Sequence, residues 1–308
     1  MRSKALSPWL YFKIYVGGAG MAHLEHLLAE VVPRALGARG AAAWFFIRYA
    51  DEEGVHLRLR IKARGDAAEA ASCVEQVLWS GTRALGDVTT SSHRPVVSIP
   101  GASVLDPWLG KACSPRVERA EYEPEVETFG VRGITAAEEL FQVSSNIAVR
   151  VVQLERARRI DRRTLSPALM AAVPEAFCPA VSRRDFWGAY AHYWVARHRE
   201  RLAGYRFTEL FAEKARKLLE RGIPVVPPDD TFEPEARALL SRWRTGLQRA
   251  AAAFAARESA LSGHALSFSF IHLMNNRLGA WFLEEVYFAR LLAECAAGGK
   301  LGVDSTVR

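Results

Sequence analysis

The segment from Trp44 to Lys62 constrains the fold more than any other part of the chain. Trp44-Phe45-Phe46-Ile47-Arg48-Tyr49 leads into Asp51-Glu52-Glu53-Gly54 and then Val55-His56-Leu57-Arg58-Leu59-Arg60-Ile61-Lys62. Aromatic and β-branched residues on both sides of an acidic, glycine-ended turn predict a β-hairpin. Side chains alternate along a strand, so Val55, Leu57, Leu59 and Ile61 share one face while His56, Arg58, Arg60 and Lys62 share the other. A sheet built on this hairpin has an apolar face for a core and a cationic face opposite it. Guanidinium groups present planar forks of donors, so such a row could grip carboxylates or phosphates. A solvated outer face explains the same pattern without any ligand.

The flanking segments extend the sheet. Trp9 to Val16 reads as a strand, Gly17 to Gly20 as a turn, and Met21 to Leu36 as an amphipathic helix with His23, Leu24, Leu27, Leu28 and Val31 on successive turns. A helix over about Asp66–Leu85, a Pro/Gly/Ser-containing loop from Ser91 to Pro107 and a strand near Val117–Tyr122 follow. Strand, helix, two strands, helix, strand is the ferredoxin-like order. Beyond Pro124 the periodicity is helical over Ile134–Arg159, Arg184–Arg221, Glu233–Leu261 and Ser267–Ala297, with breaks at Pro167–Pro179, Pro224–Asp230 and Ser262-Gly263. The expected fold class is α+β. A ferredoxin-like, mixed sheet occupies residues 1–125, and a long-helix half, residues 126–308, packs on it to form one integrated domain.

At 308 residues and 50% hydrophobic content the chain can bury a large core, and its net charge of +7 favours anionic partners or simply solubility. Cys73, Cys113, Cys178 and Cys295 lack any paired short spacing, which predicts reduced thiols rather than a zinc ribbon or a disulfide framework. The basic, apolar start is interrupted by Pro8 and Lys13 and offers no small-residue cleavage site. No apolar run reaches the roughly 18 residues of a spanning helix. A soluble, cytoplasmic chain is expected.

Three further segments carry candidate chemistry. In Ser267-Phe268-Ser269-Phe270-Ile271-His272-Leu273-Met274-Asn275-Asn276-Arg277-Leu278, helical spacing puts Ser269, His272 and Asn276 on one face. A histidine there could move protons near neutral pH, or be a satisfied structural group. In Tyr122-Glu123-Pro124-Glu125-Val126-Glu127-Thr128-Phe129-Gly130 the carboxylates could pair with the arginine strand or serve turn chemistry. His23, Glu25 and His26 have a spacing a metal could use but no evident third ligand beyond them. The arginine runs Arg156–Arg163 and Arg197–Arg206 read as solvated helix faces or phosphate contacts. The glycines form no nucleotide-binding loop, and no Ser-His-Asp order stands out.

Taken in order, Trp9-Leu10-Tyr11-Phe12-Lys13-Ile14-Tyr15, Trp44 to Tyr49, His56 to Arg60, Tyr122-Glu123-Pro124-Glu125 and Ile271 to Leu278 resemble the C-terminal elimination domain of lantibiotic dehydratases, in the stand-alone form of thiopeptide-type pathways. The resemblance implies a lyase. Its substrate would be a precursor peptide with a leader, glutamylated on Ser or Thr from glutamyl-tRNA by a partner protein, and its product dehydroalanine or dehydrobutyrine. Arg58, Arg60 and His272 match the family's catalytic arginines and histidine, while His56, Glu125, Arg132, Asn276 and Arg277 are expected to bind substrate. The resemblance implies no metal and no organic cofactor, no membrane and no direct nucleic acid; a homodimer is compatible with it.

The chain departs from the family at two places. After Tyr-x-Pro-Glu the family usually has Arg-Tyr-Gly-Gly, whereas this chain has Thr128-Phe129-Gly130-Val131, leaving Arg132 as the candidate replacement. The family's Asp-Ser is Ser144-Ser145 here. These losses keep a sister activity open, the thiopeptide pyridine synthases, which join two dehydroalanines by a formal aza-cycloaddition and release the leader. A non-catalytic peptide- or RNA-binding module is a third reading, since RNA-recognition domains use aromatic and basic residues on a ferredoxin-like sheet.

Overall fold

The computed structural model describes residues 9–17, 20–38, 40–87, 113–200, 207–222, 224–256 and 261–297. The loop expected from Ser91 to Pro107 lies outside the described residues. The chain divides into two compact units, the first running through Gln153 and the second beginning at Leu154.

The first unit is built on four strands, β1 (Trp9–Tyr15), β2 (Ala43–Asp51), β3 (Gly54–Lys62) and β4 (Arg116–Ala120). They lie in the order β2-β3-β1-β4, which is the ferredoxin-like arrangement. All three pairings are antiparallel, so the sheet is not the mixed one expected from sequence. The correction has a simple cause: the parallel relation between β1 and β2 is not adjacent, because β3 inserts between them. Phe12, Ile14, Phe46, Leu57, Leu59 and Ile61 form the buried apolar face.

Helix α1 (Met21–His26) runs through a π turn, Leu27–Val31, into α2 (Val32–Gly37). Pro33 has no N–H to give the carbonyl four residues back. That carbonyl, on Ala29, instead accepts from Gln153 Nε2 at 3.1 Å, at the far end of the unit's sequence. Helix α3 (Ala67–Arg83) starts at Asp66, whose side chain accepts from the Glu69 N–H at 2.8 Å, and it approaches the π turn closely at Gly81. Helix α4 (Val126–Arg156) is interrupted at Gly130, where φ is 72°, so its first turn points differently from the rest.

The second unit is helical: α5 (Arg162–Phe177), α6 (Arg183–Arg197), α7 (Phe207–Glu220), α8 (Pro234–Ala256), α9 (Gly263–Leu278) and α10 (Phe282–Ala297). Its core is aromatic, with Phe186, Trp187, Tyr190, Phe211, Trp243 and Phe270 buried. Three sequence expectations are corrected here. The supposed break at Pro167–Pro179 is helix α5 for most of its length, with Pro167 and Pro174 inside it. The supposed helix Arg184–Arg221 is two helices, α6 ending in turns at residues 198–200. The supposed helix Ser267–Ala297 is also two, because Gly279 takes the left-handed conformation at φ 82° and ends α9. None of the described helices is long and apolar enough to cross a membrane.

Candidate active site

In the first unit the cationic face of β3 is not a solvated surface. The sheet register places Lys13 opposite Arg58 and Tyr11 opposite Arg60 on β1, with Ile47 and Phe45 opposite the same pair on β2. Arg60 is 7% exposed, His56 is fully buried, Arg58 is half-buried and Lys62 is exposed, so alternation predicted which residues share the face but not how deeply each is buried. The Arg60 guanidinium lies 4.5 Å from the Tyr11 ring centroid, with Phe45 and Tyr122 rings at 5.6 and 5.8 Å. Its Nη1 donates to the Arg58 carbonyl at 3.1 Å, and its Nε is buried without a partner among the described residues. Burial holds Arg60 below the ordinary guanidinium range, opposed by Tyr11, Tyr122 and Glu125; an arginine still keeps its charge there.

Arg58, half-buried, stacks on Tyr49 with 3.4 Å between guanidinium carbon and ring centroid, and its Nε donates to His56 Nε2 at 3.2 Å. His56 is fully buried between the Tyr15 and Tyr49 rings, with Nδ1 3.2 Å from the Gly54 carbonyl. Two contacts therefore fix its form: Nε2 accepts, so Nδ1 carries the proton and the ring is neutral. Burial, the largest cause, pushes its pKa below 6.5. No ion pair to Lys13, Arg58 or Arg60 exists among the described residues, although Arg116 on the same face pairs with Glu53 and Glu118. Glu118 stands opposite Lys13 on β4 but is engaged by Arg116, and Glu125 acts on Arg60 from beyond ion-pair distance.

Around them, Tyr122 donates to Glu138 at 2.7 Å, and burial first, then Glu138, raises the phenol well beyond its usual range. Glu125 is exposed and Arg132 is exposed just past the Gly130 kink, as is Thr128, where the family's arginine would stand. Ser145 accepts from the Phe46 N–H at 3.2 Å, and Ser144 bonds back to the Leu140 and Phe141 carbonyls. Both serines therefore have structural partners. His23 Nδ1 sits 2.9 Å from the Val16 carbonyl and Glu25 faces Arg48. The described residues contain no group of three His, Cys, Asp or Glu that could hold a metal ion.

In the second unit, His272 lies on α9 with Nδ1 3.1 Å from Glu285 Oε2 on α10, its ring tilted against Trp194 of α6 at 4.3 Å. The histidine side chain is 36% exposed and Glu285 is 1% exposed. Tyr190 donates to the other oxygen of Glu285. Asn276 is half-buried one turn beyond His272, whereas Arg277 is buried with Nη1 donating to the Leu273 carbonyl at 2.9 Å. Glu285, Tyr190 and Trp194 were missed by the sequence reading. Phe282–Ala297 carries Glu284, Glu285, Arg290 and Glu294, so nothing in the sequence singles out Glu285; Tyr190 and Trp194 come from another helix and carry no local signal.

The profile described as "Lantibiotic biosynthesis dehydratase C-term" matches residues 9–296. The chain belongs to this family. Among solved structures, the family member resembles "Pyridine synthase, TbtD, from thiomuracin biosynthesis" at 20% identity and a TM-score of 0.67, over 94% of this chain and 98% of that one. It also resembles the tRNA-dependent lantibiotic dehydratase MibB from Microbispora sp. 107891 at 21% identity and a TM-score of 0.59, covering 96% of this chain. This member of the family spans 28% of the length of that dehydratase. Likeness at this identity establishes the fold. A comparison with curated protein sequences finds no match.

Proposed function

We propose that this member of the lantibiotic dehydratase C-terminal family eliminates glutamate from a glutamylated Ser or Thr of a precursor peptide, leaving dehydroalanine or dehydrobutyrine. A base removes the Cα proton, the Cα=Cβ bond forms, and the Cβ–O bond breaks with its electron pair going to departing glutamate. Negative charge develops on the peptide carbonyl and on the leaving carboxylate, and fixed cations stabilise both. The observation that supports this reading is the set Lys13, Arg58 and Arg60, on one sheet face and in no ion pair among the described residues. Proton transfer falls to His272, seated against Glu285. In this reading the glutamylating partner protein supplies the substrate, the leader directs binding, and the protein works in the cytoplasm.

The pyridine-synthase reading is favoured by two observations. The fold matches such an enzyme over 98% of its length, and Thr128 stands exposed where the family has arginine. Mass spectrometry after incubation with two peptides separates the readings. Loss of glutamate from a Ser-glutamylated peptide supports elimination, and its absence together with cyclisation and leader release from a bis-dehydroalanine peptide replaces it. The RNA-platform reading is disfavoured by burial of Tyr11, Tyr15 and His56, at 8%, 1% and 0% exposure, while the exposed Tyr49 already carries the Arg58 guanidinium on its ring.

A further inference from the structure

Glu285 is a carboxylate on the buried side of α10, 1% exposed, and it receives contacts from two directions. Tyr190, fully buried, donates to Oε1, and His272 Nδ1 lies 3.1 Å from Oε2. Burial, then the Glu285 charge, holds the Tyr190 phenol far above its ordinary range, so it remains a donor. A carboxylate accepts only, and a buried one needs donors on both oxygens. That requirement reaches His272 through Nδ1. Trp194, tilted against the imidazole at 4.3 Å, limits ring rotation.

We propose that Glu285 is a positioning residue that locks His272 in the Nδ1–H tautomer, so that Nε2 carries the free lone pair and is the atom that exchanges a proton with substrate. Tyr190 completes the chain Tyr190–Glu285–His272 by holding the carboxylate in place from its other oxygen. The proposal rests on His272 serving the elimination proposed above, and it adds which ring nitrogen acts and which groups choose it. When Nε2 takes a proton, the imidazolium is stabilised by a carboxylate that has no reorganising to do.

The test reads the tautomer first. Two-bond proton–nitrogen correlation spectra of the nitrogen-15-labelled full chain are recorded at alkaline pH, with the His272 signals assigned by their loss in H272Q. The expected pattern is a protonated Nδ1 and an unprotonated Nε2, converting to Nε2–H or a mixture in E285A. An Nε2–H pattern in the unaltered protein overturns the proposal, and it does so even where E285A fails to fold. Kinetics on the glutamylated peptide then follow E285Q, which keeps the shape and loses the charge. The expected result is a kcat lower by roughly tenfold or more with KM within about twofold; an unchanged kcat overturns the positioning role. If the unaltered chain releases no glutamate, the elimination reading fails by itself, and the tautomer spectrum still decides whether Glu285 sets the histidine.

Discussion

Arg60 is a buried charge without an ion pair, held by three aromatic rings and one backbone carbonyl. Such a group is a stability cost, because the desolvation of a buried cation is only partly offset by ring faces and by the more distant Glu125. Arg60→Met is therefore expected to raise the unfolding free energy by roughly 1–2 kcal/mol while abolishing glutamate release. Chemical denaturation together with the peptide assay checks this; a destabilised variant would mean the guanidinium is structural. His56 makes a second residue-scale prediction. Its pKa in the fold is pushed below 6.5 by burial, so between those values the unfolded chain binds more protons and stability rises with pH. The contribution is lost as pH falls through about 6.5 toward the folded-state pKa. The difference in melting temperature between the unaltered protein and His56→Gln should change across that window and be flat above it.

At the scale of elements, close approach explains what periodicity does not. A Cβ on Gly81 would lie 2.4 Å from Val31 Cγ1, and Val31 is fully buried in the π turn, so neither side has room to yield. Gly81→Ala should destabilise the protein by roughly 1–3 kcal/mol, and Val31→Ala in the same chain should recover part of that loss. Additive effects in that double-mutant cycle would place the damage elsewhere. The strands and α3 were legible in the sequence because alternation, an Asp N-cap and an amphipathic stripe all agree there. The helical half was harder to read. Pro167 and Pro174 look like breakers, yet both sit in α5, whose burial of Leu165, Leu169 and Val173 outweighs their local cost. Gly279 looks tolerable inside a long apolar run, yet its positive φ turns the chain and brings Glu285 on α10 to His272 on α9. The candidate residues Arg58, Arg60 and His272 could be named from sequence, whereas the Tyr190–Glu285 support could not, since it depends on how α6 meets α10.

For the whole molecule, the sequence carries a net charge of +7, and Lys13, Arg58 and Arg60 concentrate part of that charge on one sheet face without an ion pair among the described residues. A leaving group with two carboxylates is the complement of such a face, and the product should retain some affinity for it. Free L-glutamate is thus expected to inhibit elimination competitively, with an inhibition constant on the order of millimolar, which corresponds to about −4 kcal/mol. L-glutamine, which lacks one carboxylate, should inhibit less. Added salt should weaken glutamate inhibition, as screening shortens the reach of partly exposed charges. Arg58→Ala should weaken it as well, by removing one of the cations. An enzyme that joins dehydroalanines has no dicarboxylate to release, so indifference to glutamate, or equal inhibition by glutamine, would count against the elimination reading and leave the cationic face to some other anion.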